Sequence, residues 1–235
     1  MKLVIENLTK SYDQKQIVND VNFTFEEGKI YGLLGRNGAG KTTFFNCLND
    51  DTDITSGKFF LEDETGKQPL SIEDIGYVLS TPVVPEFLTA REFLKFFLEI
   101  NESRIQNPKT IDDYFEMVQI GVEDRDKLMK EYSHGMKNKM QMLINFIANP
   151  KILLLDEPLT SLDVVVQDEM KKLLKQIKKD HILIFSTHIL ELAMDLCDEI
   201  VILNNCILEE VPQDDLNQGD FKEKIIDTLK GEDND

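Results

Sequence analysis

Cysteine is scarce in this chain: Cys47, Cys197 and Cys206 are the whole complement, and no CxxC pair occurs. That count and spacing exclude a disulfide framework or a cysteine-rich metal site and fit free thiols in a reducing cytosol. Positive charge is also short, with 26 Lys and Arg against 44 Asp and Glu, a formal net charge of −18. Such a surface argues against direct binding to nucleic-acid backbones or anionic lipid faces, so a partner at a membrane would have to be a protein. No run approaches the roughly eighteen apolar residues of a membrane span. Internal repeats and low-complexity linkers are absent. Met1-Lys-Leu-Val-Ile-Glu runs straight into a strand-like alternation and does not read as a signal peptide. The acidic end Gly231–Asp235 is expected to be a solvated, frayed terminus.

What is present is concentrated. At 235 residues and 41% hydrophobic content, the chain suits one compact domain, or one domain with an inserted lobe. Residues 35–43 read Gly35-Arg36-Asn37-Gly38-Ala39-Gly40-Lys41-Thr42-Thr43, directly after the apolar run Ile30-Tyr31-Gly32-Leu33-Leu34. This is a complete phosphate-binding loop: a strand feeds a tight turn, and the turn opens a helix. Small residues let backbone N–H groups converge on nucleotide phosphates, and the positive end of the helix dipole adds attraction. Lys41 would reach the β- and γ-phosphates, and the Thr42 hydroxyl would ligate Mg²⁺.

Along the chain, strands are expected at 2–8, 21–25, 30–34, 58–62 and 75–79, with a helix at about 41–49 and a loop from Asp63 to Pro69. Thr89-Ala-Arg-Glu92 is a capping box that starts a helix carrying Phe93, Leu94, Phe96, Phe97 and Ile100, and a second helix spans about 110–120. Residues 82–132 therefore form a helical insert. Beyond it the pattern is strand 152–156, helix 164–179, strand 182–186, helix 189–196 and strand 199–203, closed by a hairpin turn at Asn204-Asn205. The fold class is α/β, a mostly parallel sheet with helices on both faces.

Two strand ends carry further chemistry. Ile152-Leu-Leu-Leu-Asp156-Glu157-Pro158 is a buried strand that delivers two carboxylates to its carboxyl end, where open α/β sheets bind ligands. Asp156 fits a Mg²⁺ ligand in phosphoryl transfer, and Glu157 can orient the attacking water. Leu183-Ile-Phe-Ser-Thr-His188 ends in an imidazole able to hydrogen-bond the γ-phosphate.

With these motifs in order, the chain resembles the ATP-binding subunits of ABC-type transporters over essentially its whole length. The matching marks are Tyr12 ahead of the loop, the loop itself, and Tyr132-Ser133-His134-Gly135-Met136 as signature sequence. Asp156-Glu157, then Ser161-Leu162-Asp163 as D-loop, then His188 as switch histidine complete the set. The resemblance implies a P-loop NTPase with a RecA-like core, an N-terminal antiparallel β lobe and the inserted α-helical lobe. Core and β lobe would cover about 1–81 and 133–215, the insert 82–132, and a tail 216–235. Tyr12 would stack on adenine. Ser133 caps the helix Met136–Ala148, and with Gly135 it would serve the nucleotide held by a second ATPase subunit, itself a copy or a paralogue, with Asp163 along the seam.

The resemblance implies ATP and Mg²⁺ as cofactors, no nucleic acid, a separate membrane permease as partner, and a cytoplasmic place on the inner face of the membrane. Two residues depart from the family pattern. Ser80 stands where Gln usually reaches the metal and the permease, and could act there only through a bridging water. His134 replaces the first glycine of the signature. The signature and the altered Ser80 segment look most like exporters of peptides, drugs or bacteriocins, with Phe87–Phe97 forming part of the groove for the permease. Two alternatives stay open: an ATP-gated clamp with little hydrolysis, and a soluble non-transport member of the fold.

Overall fold

The computed structural model describes residues 1–105, 107–160, 162–211 and 225. In chain order they form β1 (Lys2–Tyr12), β2 (Lys15–Glu26), β3 (Ile30–Leu34), α1 (Lys41–Leu48), β4 (Ser56–Asp63), β5 (Gly66–Pro69), β6 (Ile75–Val78), α2 (Ala90–Ile100), α3 (Ile111–Met117) and α4 (His134–Ala148). Then follow β7 (Ile152–Asp156), α5 (Val164–Ile177), β8 (Ile182–Thr187), α6 (Leu190–Leu196), β9 (Glu199–Asn204) and β10 (Ile207–Val211). The expected tail at 216–235 lies outside the described residues apart from Ile225, as does Ser161 of the D-loop.

Two sheets result. One is antiparallel with order β2-β1-β4-β5, and the other has six strands in the order β10-β9-β3-β8-β7-β6. Within the second, every pairing from β9 to β6 is parallel, and only β10 is antiparallel to its neighbour. Strands β3, β7 and β8 are buried at every position, as expected for parallel strands covered on both faces. Alternate residues split between the faces. Leu153, Leu155, Leu183 and Phe185 join a core with Leu94, Phe115 and Met129 from the 82–132 segment and Leu174 of α5. Ile152, Leu154, Ile182 and Ile184 face Phe44, Phe45 and Leu48 of α1 and Leu3, Ile5 and Phe25 of the antiparallel sheet. The helical segment thus shares a continuous core with the central sheet.

Several expected boundaries move. β1 and β2 run longer than 2–8 and 21–25 and meet at a tight turn where Asp13 adopts φ +51°. The expected loop at 63–69 contains β5, paired so that Asp63 opposes Gly66 and Phe60 opposes Pro69. Gly66, at φ +116°, supplies that turn. A proline is tolerated there because β5 is an edge strand. The hairpin turn falls on Asn205-Cys206, both at positive φ, while Asn204 stays in the ladder opposite Ile207. A two-residue turn of this kind needs positive φ at both positions. α3 stops at Met117 rather than at 120, with Gln119 left-handed beyond it. α5 ends at Ile177 rather than 179 and gives way to a short 3₁₀ turn at Lys178–Asp180. α4 starts at His134, two residues before the expected Met136, because Ser133 Oγ accepts the Met136 N–H and sets the first turn at the cap. The Thr89–Glu92 capping box forms as read, with Thr89 Oγ1 accepting from Glu92 N at 3.1 Å and Glu92 Oε2 from Thr89 N at 2.8 Å.

Gly32, in the middle of β3, lets α6 approach the sheet. A Cβ there would lie 2.9 Å from Cys197 Sγ and 3.4 Å from Ala193 Cβ. Gly32→Ala should therefore overpack this contact and destabilise the chain by about 1–3 kcal/mol, read as a lowered urea midpoint at unchanged slope.

Candidate nucleotide site

The parallel register brings the loop and both strand ends to one edge. Leu34 pairs with Thr187 and Asp156 with Ser186, so the residues after β3, β7 and β8 emerge side by side. Gly38 and Gly40 hold φ +82° and +106°, a region other residues rarely adopt. Gly40 is also sterically required, because a Cβ would sit 2.6 Å from Ile17 Cγ2. α1 begins at Lys41 behind a glycine with no side chain to cap it, so its first N–H groups are turned toward the loop.

Lys41 is only 6% exposed. Its Nζ donates to the Gly35 carbonyl at 2.8 Å and the Arg36 carbonyl at 3.2 Å, and lies 3.6 Å from Glu157 Oε1. The ammonium is thus held over the loop. Thr42 Oγ1 donates to Asp156 Oδ2 at 2.8 Å, and Ser186 Oγ donates to Asp156 Oδ1 at 2.5 Å. Ser186 Oγ also accepts the Glu157 N–H at 3.1 Å. Glu157 Oε2 lies 3.0 Å from His188 Nδ1. Beneath this group Tyr77 donates to Asn46 Oδ1 at 3.1 Å. Burial, with the Asp156 carboxylate nearby, raises the Tyr77 phenol well above the ordinary range.

Beside this network lies a cleft of about 280 Å³ lined by Asn37, Gly38, Gly40, Lys41, Thr42, Thr43, Ser80, Asp156, Glu157 and Ile17; His188 is not among its lining residues and reaches it only through Glu157. Ser80 enters from the end of β6, as its place in the sequence suggested. Gly35 and Arg36 contribute the carbonyls that grip Lys41, and Ala39 N–H donates back to the Arg36 carbonyl at 3.1 Å, closing the turn. Two contributors were not evident in the sequence. Ile17 lines the cleft from β2, and Ser186 clamps Asp156. Ser186 sat in plain view two residues before His188, but only the strand register shows what it grips.

Other expected residues stand elsewhere. Tyr12 does not line the cleft. Its ring is 46% exposed, with Lys10 Nζ 4.3 Å from the ring centre. Ser133 and Gly135 sit at the head of α4, outside the cleft lining. Asp163 caps α5, its Oδ1 accepting from Val165 N at 3.0 Å and Val166 N at 3.1 Å.

Loop, buried lysine and paired carboxylates at the carboxyl edge of a parallel sheet define a P-loop nucleotide-binding protein. The family model described as ABC transporter matches residues 18–160. The chain belongs to this family as an ATP-binding subunit, and it is an ATPase. Among its relatives, the lantibiotic transport ATP-binding protein SrtF of Streptococcus pyogenes is 33% identical, over 84% of this chain and 85% of its own. The bacitracin transport ATP-binding protein BcrA of Bacillus licheniformis is 35% identical, over 92% of this chain and 71% of its own. A solved ATP-binding subunit of an ABC transporter overlays with a TM-score of 0.76 at 24% identity, covering 98% of this chain and 95% of that one, a likeness of fold.

Removing the Lys41 ammonium deletes charge-assisted hydrogen bonds, worth about 1.5–3 kcal/mol. Lys41→Ala should weaken ATP binding about 10- to 150-fold, measurable by titration with a fluorescent ATP analogue.

Proposed function

We propose that this chain energises export through a separate membrane permease, working as one half of an ATP-closed dimer. The observation that carries the reading is the convergence of Lys41, Thr42, Asp156 and Glu157 on one cleft, with His188 Nδ1 3.0 Å from Glu157 Oε2. The loop amides and Lys41 would hold the phosphates and stabilise charge on the transferred group. Glu157 would accept a hydrogen bond from water and aim it at the γ-phosphate, with His188 beside it to contact that phosphate. Tyr12 would offer its half-exposed ring to adenine.

The donor set fits Mg²⁺. Among the described residues no three His, Cys, Asp or Glu side chains gather as a metal cage. The Thr42 hydroxyl and Asp156 carboxylate, already 2.8 Å apart, are hard oxygen donors of the kind that leave room for waters and phosphate oxygens. Ser80, on the cleft wall, would join through water. When bound, the ion neutralises phosphate charge. Thr42 and Asp156 would hold it, and Ser186 would keep Asp156 oriented.

A lone chain leaves this cleft open to solvent. Ser133, Gly135 and Asp163 would complete the site of a partner ATPase subunit, a copy or a paralogue. Export is favoured by the lantibiotic and bacitracin transport relatives. No helix among the described residues is long and apolar enough to cross a membrane, so a separate permease would hold the chain at the cytoplasmic face. The helical segment 82–132 would meet it. Phe87 and Phe96 stand exposed there, while Phe93 and Phe97 pack inward on the core. The core and β lobe would then comprise about 1–81 and 133–215. Ser80 and His134 favour a second reading, a clamp that closes on ATP and turns over slowly.

Glu157→Gln decides between them. Loss of a general base costs about 10²–10⁴-fold in rate. Under the export reading the wild type turns over ATP, and the variant falls by that factor and accumulates as an ATP-bound dimer by light scattering. Equal, very slow turnover of both, with dimers in each, would establish the clamp.

A further inference from the structure

Asn138 lies on the buried face of α4, about one turn beyond His134, and is 1% exposed. Its Nδ2 donates to the carbonyl of Pro158, the residue directly after Glu157. A carbonyl only accepts, so this contact fixes which way the amide points. Asn138 Oδ1 then meets no hydrogen-bond donor among the described residues. An orphaned buried acceptor is costly, and an apolar residue of similar volume would avoid that cost. What the asparagine adds is its grip on Pro158.

The segment it grips is under strain. Glu157 holds φ +49°, a left-handed conformation that side-chain-bearing residues rarely take. Side chains pin this segment from several elements. Ser186 Oγ accepts the Glu157 N–H at 3.1 Å, Thr160 Oγ1 donates to the Glu157 carbonyl at 2.7 Å, and Gln167 Nε2 of α5 donates to the Leu159 carbonyl at 2.8 Å. Asn138 is the member of this set on α4, the helix capped by Ser133. The next residue, Lys139, anchors the same turn. Its Nζ donates to the Gln119 carbonyl at 3.1 Å and lies 3.9 Å from Glu169 of α5.

We propose that Asn138 is a positioning residue. It fixes the peptide after Glu157 so that the carboxylate faces Lys41 and His188, and it ties that pose to α4. A displacement of α4 is thereby felt at Glu157 through one hydrogen bond, so engagement at the helix head and water activation in the cleft are coupled within one chain. The proposal rests on the reading of Glu157 given above.

The test uses the purified full chain. Asn138→Leu keeps roughly the volume and removes the donor. We expect kcat to fall about tenfold, the scale of one buried hydrogen bond. KM for ATP and nucleotide affinity should stay within about twofold, because the phosphate loop is untouched. Asn138→Gln, which keeps a donor on a longer stem, should recover part of the loss. In a Glu157→Gln background, Asn138→Leu should add nothing further. Unchanged kcat in Asn138→Leu overturns the proposal. A loss that tracks the unfolded fraction in urea titration does so too, as does an additive loss on Glu157→Gln. Where Asn138→Leu does not fold, Asn138→Gln carries the test: reduced kcat at constant KM supports the proposal and wild-type kcat overturns it. Glu157→Gln alone separates the two levels. If it is inactive while Asn138→Leu is fully active, only the positioning role fails; if it retains wild-type turnover, the reading of Glu157 and the role of Asn138 fail together.

Discussion

The structure turns on one buried carboxylate. Asp156 is 2% exposed and accepts hydrogen bonds from Thr42, at the start of α1, and Ser186, on β8. A buried carboxylate is tolerable only when its oxygens are satisfied. Here the two donors come from two different elements, so satisfying Asp156 also locks the phosphate loop, β7 and β8 into one relative position. Ser186 extends the lock by accepting the Glu157 N–H, which places the second acid next to the first. The chemistry of the cleft and the cohesion of its walls are the same set of bonds.

That arrangement depends on how the apolar strands pack. Five consecutive residues in β3, five in β7 and six in β8 are buried, and alternate residues of β7 and β8 pack into two different cores, so a slip by one residue would exchange the two sets of packing partners. The helical segment seals one face of this sheet and the antiparallel sheet seals the other. Hydrophobic burial therefore decides where the polar ends emerge. Against a net charge of −18, the buried ammonium of Lys41 places a cation against the loop.

Some of this was legible in the sequence for definite reasons. The phosphate loop writes its backbone requirements as glycines, and Gly38 and Gly40 do take the left-handed angles that only glycine adopts freely. The buried strands show as unbroken apolar runs, and the capping residues Thr89 and Ser133 precede their helices as read, whereas Asp163, expected only along a subunit seam, also caps α5. Other features were not legible. β5, Gly66–Pro69, is polar, mostly exposed and ends in proline, so nothing in its composition marks a strand. Ser186 and Asn138 act on residues 30 and 20 positions away, contacts that only the folded register creates. Tyr12, the last residue of β1, is not among the residues lining the cleft, while Ile17 on the returning strand is.

The most direct test of this account is the Mg²⁺ dependence of ATP affinity in the wild type and in Asp156→Asn. The variant keeps the side chain's shape but loses its charge. If Asp156 with Thr42 is the oxygen pair that meets the nucleotide-bound cation, Mg²⁺ tightens ATP binding in the wild type. The variant should lose that tightening while its Mg²⁺-free affinity stays near that of the wild type. Equal Mg²⁺ dependence in both proteins would contradict the account and leave Asp156 as a purely structural clamp.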